Sequence, residues 1–214
     1  MDNKTENEER LLTEAEARRK ERFEELMKQR SGEGFHADYL ILDLRKTNIM
    51  ATVIGIAFFI LASMLYWITG HGITDMTIGK IVAYLVIFFV LIILHELIHG
   101  ATWAIFAPRG FHSIEFGYIR KTMNPYATCA EPMSKGTYIL GAAMPTILLG
   151  ILPLIFCFLH PDNHSLIFLL AASMTVSGLG DMAIIWKILR HRKKGEEEKY
   201  LDHPYEAGVV ILYR

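Results

Sequence analysis

The chain has 214 residues, of which 52% are hydrophobic and 21% are charged, and its formal net charge is −1 at pH 7. The charges are so unevenly placed that this total does not indicate a class of partner, and we predict no nucleic-acid partner. The two cysteines, Cys129 and Cys157, are too few for a disulfide framework, and no CxxC motif indicates a structural zinc site.

Charged and apolar residues separate into three regions along the chain. Residues 1–48 are polar and charged, residues 49–190 are dominated by long apolar runs, and residues 191–214 are mixed. We therefore predict a charged cytoplasmic N-terminal helix or tail, a four-span membrane domain and a cytoplasmic C-terminal tail. In the first region, residues 5–30 carry Glu and Arg or Lys three and four positions apart, which predicts a solvated helix that the SGEG of residues 31–34 ends.

Four apolar runs are each long enough to cross a bilayer core of roughly 30 Å. They cover residues 49–68, 79–106, 138–159 and 165–189. Pro145 and Pro153 predict a kink in the third run, because a proline inside a helix removes a backbone hydrogen bond. The runs predict an all-α integral membrane protein with about four transmembrane helices.

The distribution of Lys and Arg predicts the orientation of these spans. Both ends of the chain and the connection 107–137 carry Lys and Arg, whereas the connections 69–78 and 160–164 carry none. The positive-inside rule therefore places both termini and residues 107–137 in the cytoplasm. Within that connection, the alternating HSIEFGYIRK of residues 112–121 predicts a short β-hairpin at the cytoplasmic membrane face.

His95, Glu96 and His99 interrupt the second apolar run and form an HExxH motif. On a helix, residues four positions apart point to the same side, so the two imidazoles can bind one metal ion. Glu96 then reaches the metal-bound water without taking a ligand position, which suits a general base. The motif predicts a catalytic zinc site.

The cost of placing these side chains in a membrane argues that they have a function. Ionisable groups in a spanning helix each cost roughly 2.5–3.5 kcal/mol on insertion scales, so three within five residues are hard to retain without a purpose. The competing interpretation is a hydrogen-bonded polar cluster that joins helices and binds no metal.

A catalytic zinc site needs a third protein ligand at the same depth in the membrane. Asp181 lies about 16 residues from the outer end of the fourth run, and His95 and His99 lie about 15–19 residues from the outer end of theirs, which puts all three roughly 22–28 Å from the outer face. Asp181 is therefore the predicted third ligand. The alternative is an aspartate that only marks the end of the span.

Several segments resemble a bacterial family described as putative zincin peptidases, over roughly residues 80–210. These are HELIHG, PYATCAEP, the proline-containing third run, the GD of the fourth run and LDHPYEAG. The arrangement also resembles the site-2 proteases, intramembrane zinc metallopeptidases with HExxH in one core helix and an aspartate ligand in a later one. The resemblance implies His95, His99 and Asp181 as zinc ligands and Glu96 as the catalytic residue. Site-2 proteases usually have Asn-Pro before the aspartate and glycine after it, whereas here glycine precedes it and methionine follows.

Three residues of the 107–137 connection have two interpretations each. Cys129 either ligates or gates the metal or is a packed thiol, and the packed thiol is favoured. Asn124 and Tyr126 either hydrogen-bond the substrate or the oxyanion, or they belong to a simple turn at the Asn-Pro, and the turn is favoured.

The sequence thus predicts an intramembrane zinc metalloprotease that hydrolyses peptide bonds of membrane-associated proteins with a zinc-activated water. We expect Zn2+ as cofactor, a membrane protein or peptide as substrate, and a multi-pass position in a bacterial cell membrane. One alternative is a non-proteolytic metal-binding membrane protein, such as a metal carrier or a regulatory pseudoprotease, which needs the three ligands but not Glu96. Another is a membrane scaffold without zinc.

Overall fold

A computed structural model describes residues 14–72, 76–119, 124–160, 162, 164–204 and 206–214. Along the chain, a helix and a strand come first, the long apolar helices follow, and a pair of strands comes last. Two small antiparallel sheets complete the fold.

The first two apolar runs form two long helices, α2 (Leu44–Ile68) and α3 (Ile78–Phe106). Each begins at a side-chain cap, because Asp43 and Thr77 accept hydrogen bonds from the backbone amides three residues later. The cap explains why α2 begins before its apolar run does. Both helices are long and apolar enough to cross a membrane.

The third apolar run is one helix with an irregular middle. It consists of α4 (Lys135–Pro145), a π-helical segment (Thr146–Ile151) and α5 (Leu152–Leu159), and it is also long and apolar enough to cross a membrane. The irregularity predicted from the prolines is thus a π-helical turn directly after Pro145, where the proline has interrupted the regular hydrogen-bond pattern.

The fourth apolar run is two helices, α6 (Ser165–Ser177) and α7 (Leu179–Arg190), with a bend of 41° between them. The bend lies at Gly178, where an added Cβ would be only 1.9 Å from the Thr146 hydroxyl oxygen. Only a glycine permits this close approach. If the bent pair is one span, the chain has four candidate spans, and Asp181 follows directly after the bend.

The outer surfaces of these helices are strongly apolar. Only 6% of the most apolar window of α3 is buried inside the molecule. Exposed apolar area of this extent is unfavourable in water and is typical of lipid-facing helices. The prediction of a mainly helical fold with three to four apolar helices is confirmed, and the structure is consistent with a membrane protein.

The predicted hairpin is also confirmed. After a short 3₁₀ turn (Gly110–Ser113), strand β2 (Ile114–Ile119) pairs antiparallel with β3 (Asn124–Cys129). The hairpin packs mainly against α3, and Arg22 of the N-terminal helix forms an ion pair with its Glu115.

A second sheet combines one strand from the N-terminal part of the chain with two strands from its C-terminal part. Its strands are β1 (His36–Ile41), β4 (Glu198–Asp202) and β5 (Gly208–Tyr213), in the order β1-β5-β4 with antiparallel neighbours. Residues 191–214, predicted as a cytoplasmic C-terminal tail, supply two strands of this sheet, and the all-α description lacked it. The central strand is buried on both faces, so its GVVILY sequence has no polar alternation that would identify a strand.

The N-terminal helix α1 (Glu14–Gly32) covers one face of this sheet through Phe23, Leu26 and Met27. It ends just before Gly34, whose φ of 84° suits glycine. The predicted helix over residues 5–30 is confirmed from residue 14 onward, and residues 5–13 lie outside the described residues.

Candidate metal centre

His95 and His99 lie on the same side of α3, one helical turn apart. Their ring centroids are 4.8 Å apart, and the residues are only 7% and 3% exposed. This second half of α3 is covered by α4 and the hairpin, so the two imidazoles face the interior and not the outer surface.

Asp181 reaches the histidines from the first turn of α7. Its Oδ2 lies 3.2 Å from His95 Nε2 and 3.5 Å from His99 Nε2. In the described part of the chain these three side chains form a group whose ligand atoms all lie within 4.8 Å of one another. The bend at Gly178 precedes Asp181 by less than one turn, so it sets the direction from which the carboxylate arrives.

The distances from the Asp181 oxygen to the two imidazole nitrogens fit a zinc ion. Zinc bonds to nitrogen and oxygen are about 2.0–2.2 Å long, so two ligands at a tetrahedral angle lie about 3.4 Å apart. The distances of 3.2 and 3.5 Å match this edge. Two imidazoles and one carboxylate leave a fourth position open, as a catalytic zinc site requires. The same distances suit direct His–Asp hydrogen bonds in the absence of metal, so metal content separates the two interpretations.

The orientation of the His99 ring is fixed by two contacts. Its Nδ1 lies 2.8 Å from the carbonyl oxygen of Gly141 in α4, and Trp103 stacks on the ring at a centroid distance of 5.3 Å and an angle of 15°. A carbonyl can only accept, so Nδ1 carries a proton, and Nε2, on the side of Asp181, is the nitrogen that can bind a metal. His95 Nδ1 is buried and has no hydrogen-bond partner among the described residues.

Glu96 is half-buried and lies next to the hairpin. The backbone amide of Ala127 in β3 interacts with its carboxylate. The hairpin approaches α3 closely at Gly100, where an added Cβ would be 2.4 Å from Phe116 Cζ and 2.8 Å from Ile114 Cγ2. The glycine of the HELIHG segment therefore admits the hairpin beside the predicted base.

Asp202 at the end of β4 joins α4 to the hairpin behind the metal centre. Its Oδ1 accepts a hydrogen bond of 2.5 Å from the Tyr138 hydroxyl, and its Oδ2 accepts one of 3.0 Å from the Cys129 backbone amide. Burial raises the pKa of this carboxyl to about 6, and the two hydrogen bonds only partly offset that shift. The carboxylate therefore ties together the two elements that flank His99 and Glu96.

The three residues with two interpretations lie in β3. Cys129 is 2% exposed, and burial raises the pKa of its thiol to about 11, which agrees with a packed thiol. The Tyr126 ring packs closely on Gly117, and the Arg19 guanidinium lies 4.5 Å above its centroid. Neither Cys129 nor Tyr126 belongs to the group of candidate metal ligands. The Asn124 side chain lies outside the described part of the structure.

The structure thus brings His95, His99 and Asp181 together, with Glu96 beside them, and their roles as ligands and base remain predictions. The sequence analysis missed the contacts that support them, which come from Gly141, Tyr138 and Asp202. One signal for Gly141 was present, because Pro145 follows it by four residues and cannot donate to its carbonyl. Nothing local to Asp202 indicated that it would be buried against Tyr138.

Comparison with known proteins places this site within a family. A family model described as putative zincin peptidase matches residues 88–195, which is half of the chain and includes His95, Glu96, His99 and Asp181. Comparisons with curated proteins and with solved structures give no match. The matched segment runs from the first half of α3 past the end of α7, so it contains all elements that supply the metal centre. The chain therefore belongs to the putative zincin peptidase family, which implies a zinc-dependent peptidase.

Proposed function

We propose that the protein is an intramembrane zinc metalloprotease resembling the site-2 proteases, with His95, His99 and Asp181 as zinc ligands and Glu96 as general base. One observation carries this proposal. Two histidines of one apolar helix and an aspartate of another converge at the spacing of tetrahedral zinc ligands, with the HExxH glutamate next to them.

The helices and the terminal sheet support the proposed position of the site in the membrane. The ligands lie in the second half of α3 and after the bend of the fourth run, in helices that are apolar enough to span a bilayer. Strands β1 and β5, near the two ends of the chain, pair with each other, which agrees with an even number of spans. Together with the Lys and Arg distribution, this supports four spans, cytoplasmic termini and a site in the cytoplasmic leaflet.

The side chains of the site have distinct chemical roles. His95, His99 and Asp181 would hold the zinc ion, which would supply a Lewis acid and lower the pKa of an attacking water. Glu96 follows His95 directly, so its carboxylate reaches the open side of the site. There it takes a proton from the water and returns it to the leaving amine. The Ala127 amide holds the carboxylate in place for both transfers.

The hairpin supplies the substrate-binding surface in this proposal. A helical substrate hides its carbonyl groups, so a membrane segment must become extended before cleavage. β2 pairs with β3 alone in the described sheet, so its other edge is available to an added strand. Proline substitutions along residues 113–119 should reduce cleavage strongly while zinc stays bound. Unchanged cleavage in all of them would remove the hairpin from substrate binding.

A comparison of wild type with Glu96→Gln tests the protease function. Both proteins are reconstituted with zinc into liposomes that contain a defined mixture of single-span peptides, and new peptide termini are quantified by mass spectrometry. We expect new termini only in the wild type, lost on chelation, with an effect of at least about 100-fold for a missing general base. Glu33→Gln, at an exposed carboxylate just after the N-terminal helix, should behave as wild type.

The same comparison separates the competing function. If both proteins hold one zinc and neither cleaves any peptide, the site belongs to a non-proteolytic metal-binding protein. Cleavage by Glu96→Gln at the wild-type rate would exclude Glu96 as the base.

A further inference from the structure

The His99 hydrogen bond to Gly141 requires a free carbonyl in the middle of a helix. In a regular α-helix the carbonyl of residue 141 accepts from the amide of residue 145. Residue 145 is proline and has no amide proton, and the next amide, that of Thr146, donates to Ala143. The Gly141 carbonyl thereby lacks the amide partner that a regular helix would give it.

This free carbonyl lies where the metal centre needs an acceptor. It is 2.8 Å from His99 Nδ1, and His99 is almost fully buried, so water has little access to replace it. Gly141 also lets Trp103 approach, since an added Cβ would lie 1.9 Å from Trp103 Nε1. Trp103 in turn donates to the Tyr138 carbonyl and stacks on His99. One short stretch of α4 therefore determines both the tilt and the protonated nitrogen of the His99 ring.

We propose that Pro145 is a positioning residue of the metal centre, because its missing amide proton reserves the Gly141 carbonyl for His99. An amide at position 145 would draw that carbonyl into the helix and weaken its bond to Nδ1. The His99 ring would then lose the contact that directs Nε2 toward Asp181. This inference rests on the proposed metal site and goes beyond it, since it assigns a role to a residue that touches neither metal nor substrate.

The second proline of the same span provides a matched control. Pro153 lies in the first turn of α5, about two turns farther along, and the carbonyl four residues before it belongs to Leu149. Both prolines remove one amide from the same apolar helix. A general effect of helix irregularity would appear in both variants, whereas the proposed role belongs to Pro145 alone.

Three full-length variants separate the amide from the proline ring. Pro145→Ala restores the amide, Pro145→lactate (the hydroxy-acid analogue of alanine) has neither ring nor amide, and Pro153→Ala is the control. Each is purified in detergent, the Zn2+ and Co2+ dissociation constants are measured by chelator competition, and the Co2+ d–d absorption bands are recorded. We expect Pro145→Ala to bind at least about 10-fold more weakly with shifted bands, as for the loss of a hydrogen-bond partner of a metal ligand.

The other variants should remain close to wild type. Pro145→lactate and Pro153→Ala should keep the wild-type affinity within about threefold and the wild-type bands. The unfolding midpoint of metal-free Pro145→Ala should equal or exceed that of the wild type, because alanine favours a helix more than proline does.

The outcomes that would overturn the inference are distinct from those that affect the proposed function. Folded Pro145→Ala with unchanged affinity and bands overturns it, and so does Pro145→lactate weakened as much as Pro145→Ala. If Pro145→Ala does not fold, Pro145→lactate decides: wild-type binding supports the role of the missing amide, and weakened binding contradicts it. A wild type that binds no metal overturns the proposed metal site itself.

Discussion

The two halves of α3 differ in how far their side chains are buried. In the first half, the large apolar side chains face outward, and Phe89, for example, is 65% exposed. In the second half, Trp103 is only 4% exposed, and His95, His99 and Gly100 are buried with it. One helix thus has a half that mainly contacts the surrounding medium and a half that is covered on one side by α4 and the hairpin, while its Leu97 and Ile105 stay exposed.

This difference shows which half of α3 depends more on particular neighbouring residues. The first half depends less on them, because a helix meets all its own backbone hydrogen bonds in an apolar medium. It has a side-chain hydrogen bond to another helix, which joins the Tyr84 hydroxyl to Ser173 Oγ at 2.7 Å. The second half carries polar groups that require partners at fixed places, such as the Gly141 carbonyl for His99 and the Ala127 amide for Glu96. Substitutions in the second half should therefore lower the free energy of unfolding far more than substitutions in the first half.

A pair of aromatic substitutions should give the largest difference in stability. Trp103→Ala should lower the free energy of unfolding by about 3–5 kcal/mol, because it leaves a cavity between His99 and α4. Phe89→Ala should change it by less than about 1 kcal/mol, because lipid or detergent replaces the ring contacts. Denaturant unfolding in detergent measures both. Equal losses would mean that the two halves are not distinct.

The carboxylate behind the buried half should make stability depend on pH. The Asp202 pKa is raised from 3.8 to about 6, so between these values the folded protein holds a proton that the unfolded chain has released. Stability should therefore fall by about 3 kcal/mol in total as the pH rises from about 3 to about 7, with about 2 kcal/mol of this fall between pH 4 and 6, and show no further change from this group above about pH 7. The measured quantity is the difference between the profiles of wild type and Asp202→Asn. Parallel profiles would contradict the raised pKa.

A pair of glycine substitutions, one in each half of α3, should give the smallest difference in the free energy of unfolding. Gly100→Ala should lower the free energy of unfolding by about 1–2 kcal/mol, because its Cβ would meet Phe116 and the buried Ile114 at 2.4 and 2.8 Å. Gly79→Ala meets only the Thr77 hydroxyl at 3.8 Å and should be neutral or stabilising by up to about 1 kcal/mol. Thermal unfolding in detergent compares the two. A destabilised Gly79→Ala would show that helix packing also constrains the first half.

The same contrast explains what could be predicted from the sequence. Length and apolarity alone identify α2 and α3, and the alternation of residues 112–121 identifies the hairpin. The HExxH spacing places His95 and His99 on one side of a helix, and equal depth selects Asp181. These are local patterns, or comparisons of position along spans of known length.

The supporting contacts could not be predicted because they depend on long-range packing. β1 and β5 pair across most of the chain, and GVVILY has no alternation that would identify it as a strand. Asp202 meets Tyr138 only because this sheet docks beside α4. Gly178 and Gly180 in the fourth run predicted either close packing or a local break, and the structure has a bend at this place.

The zinc content of the detergent-purified protein is the most direct test of the proposed three-ligand zinc site. Wild type is measured beside Asp181→Ala and Glu96→Gln. The account predicts about one zinc per chain in the wild type and in Glu96→Gln, and loss of zinc in Asp181→Ala, since a catalytic site needs three protein ligands. A folded wild type without zinc would contradict the account, and the histidines and the aspartate would then form a hydrogen-bonded cluster that joins α3 to α7.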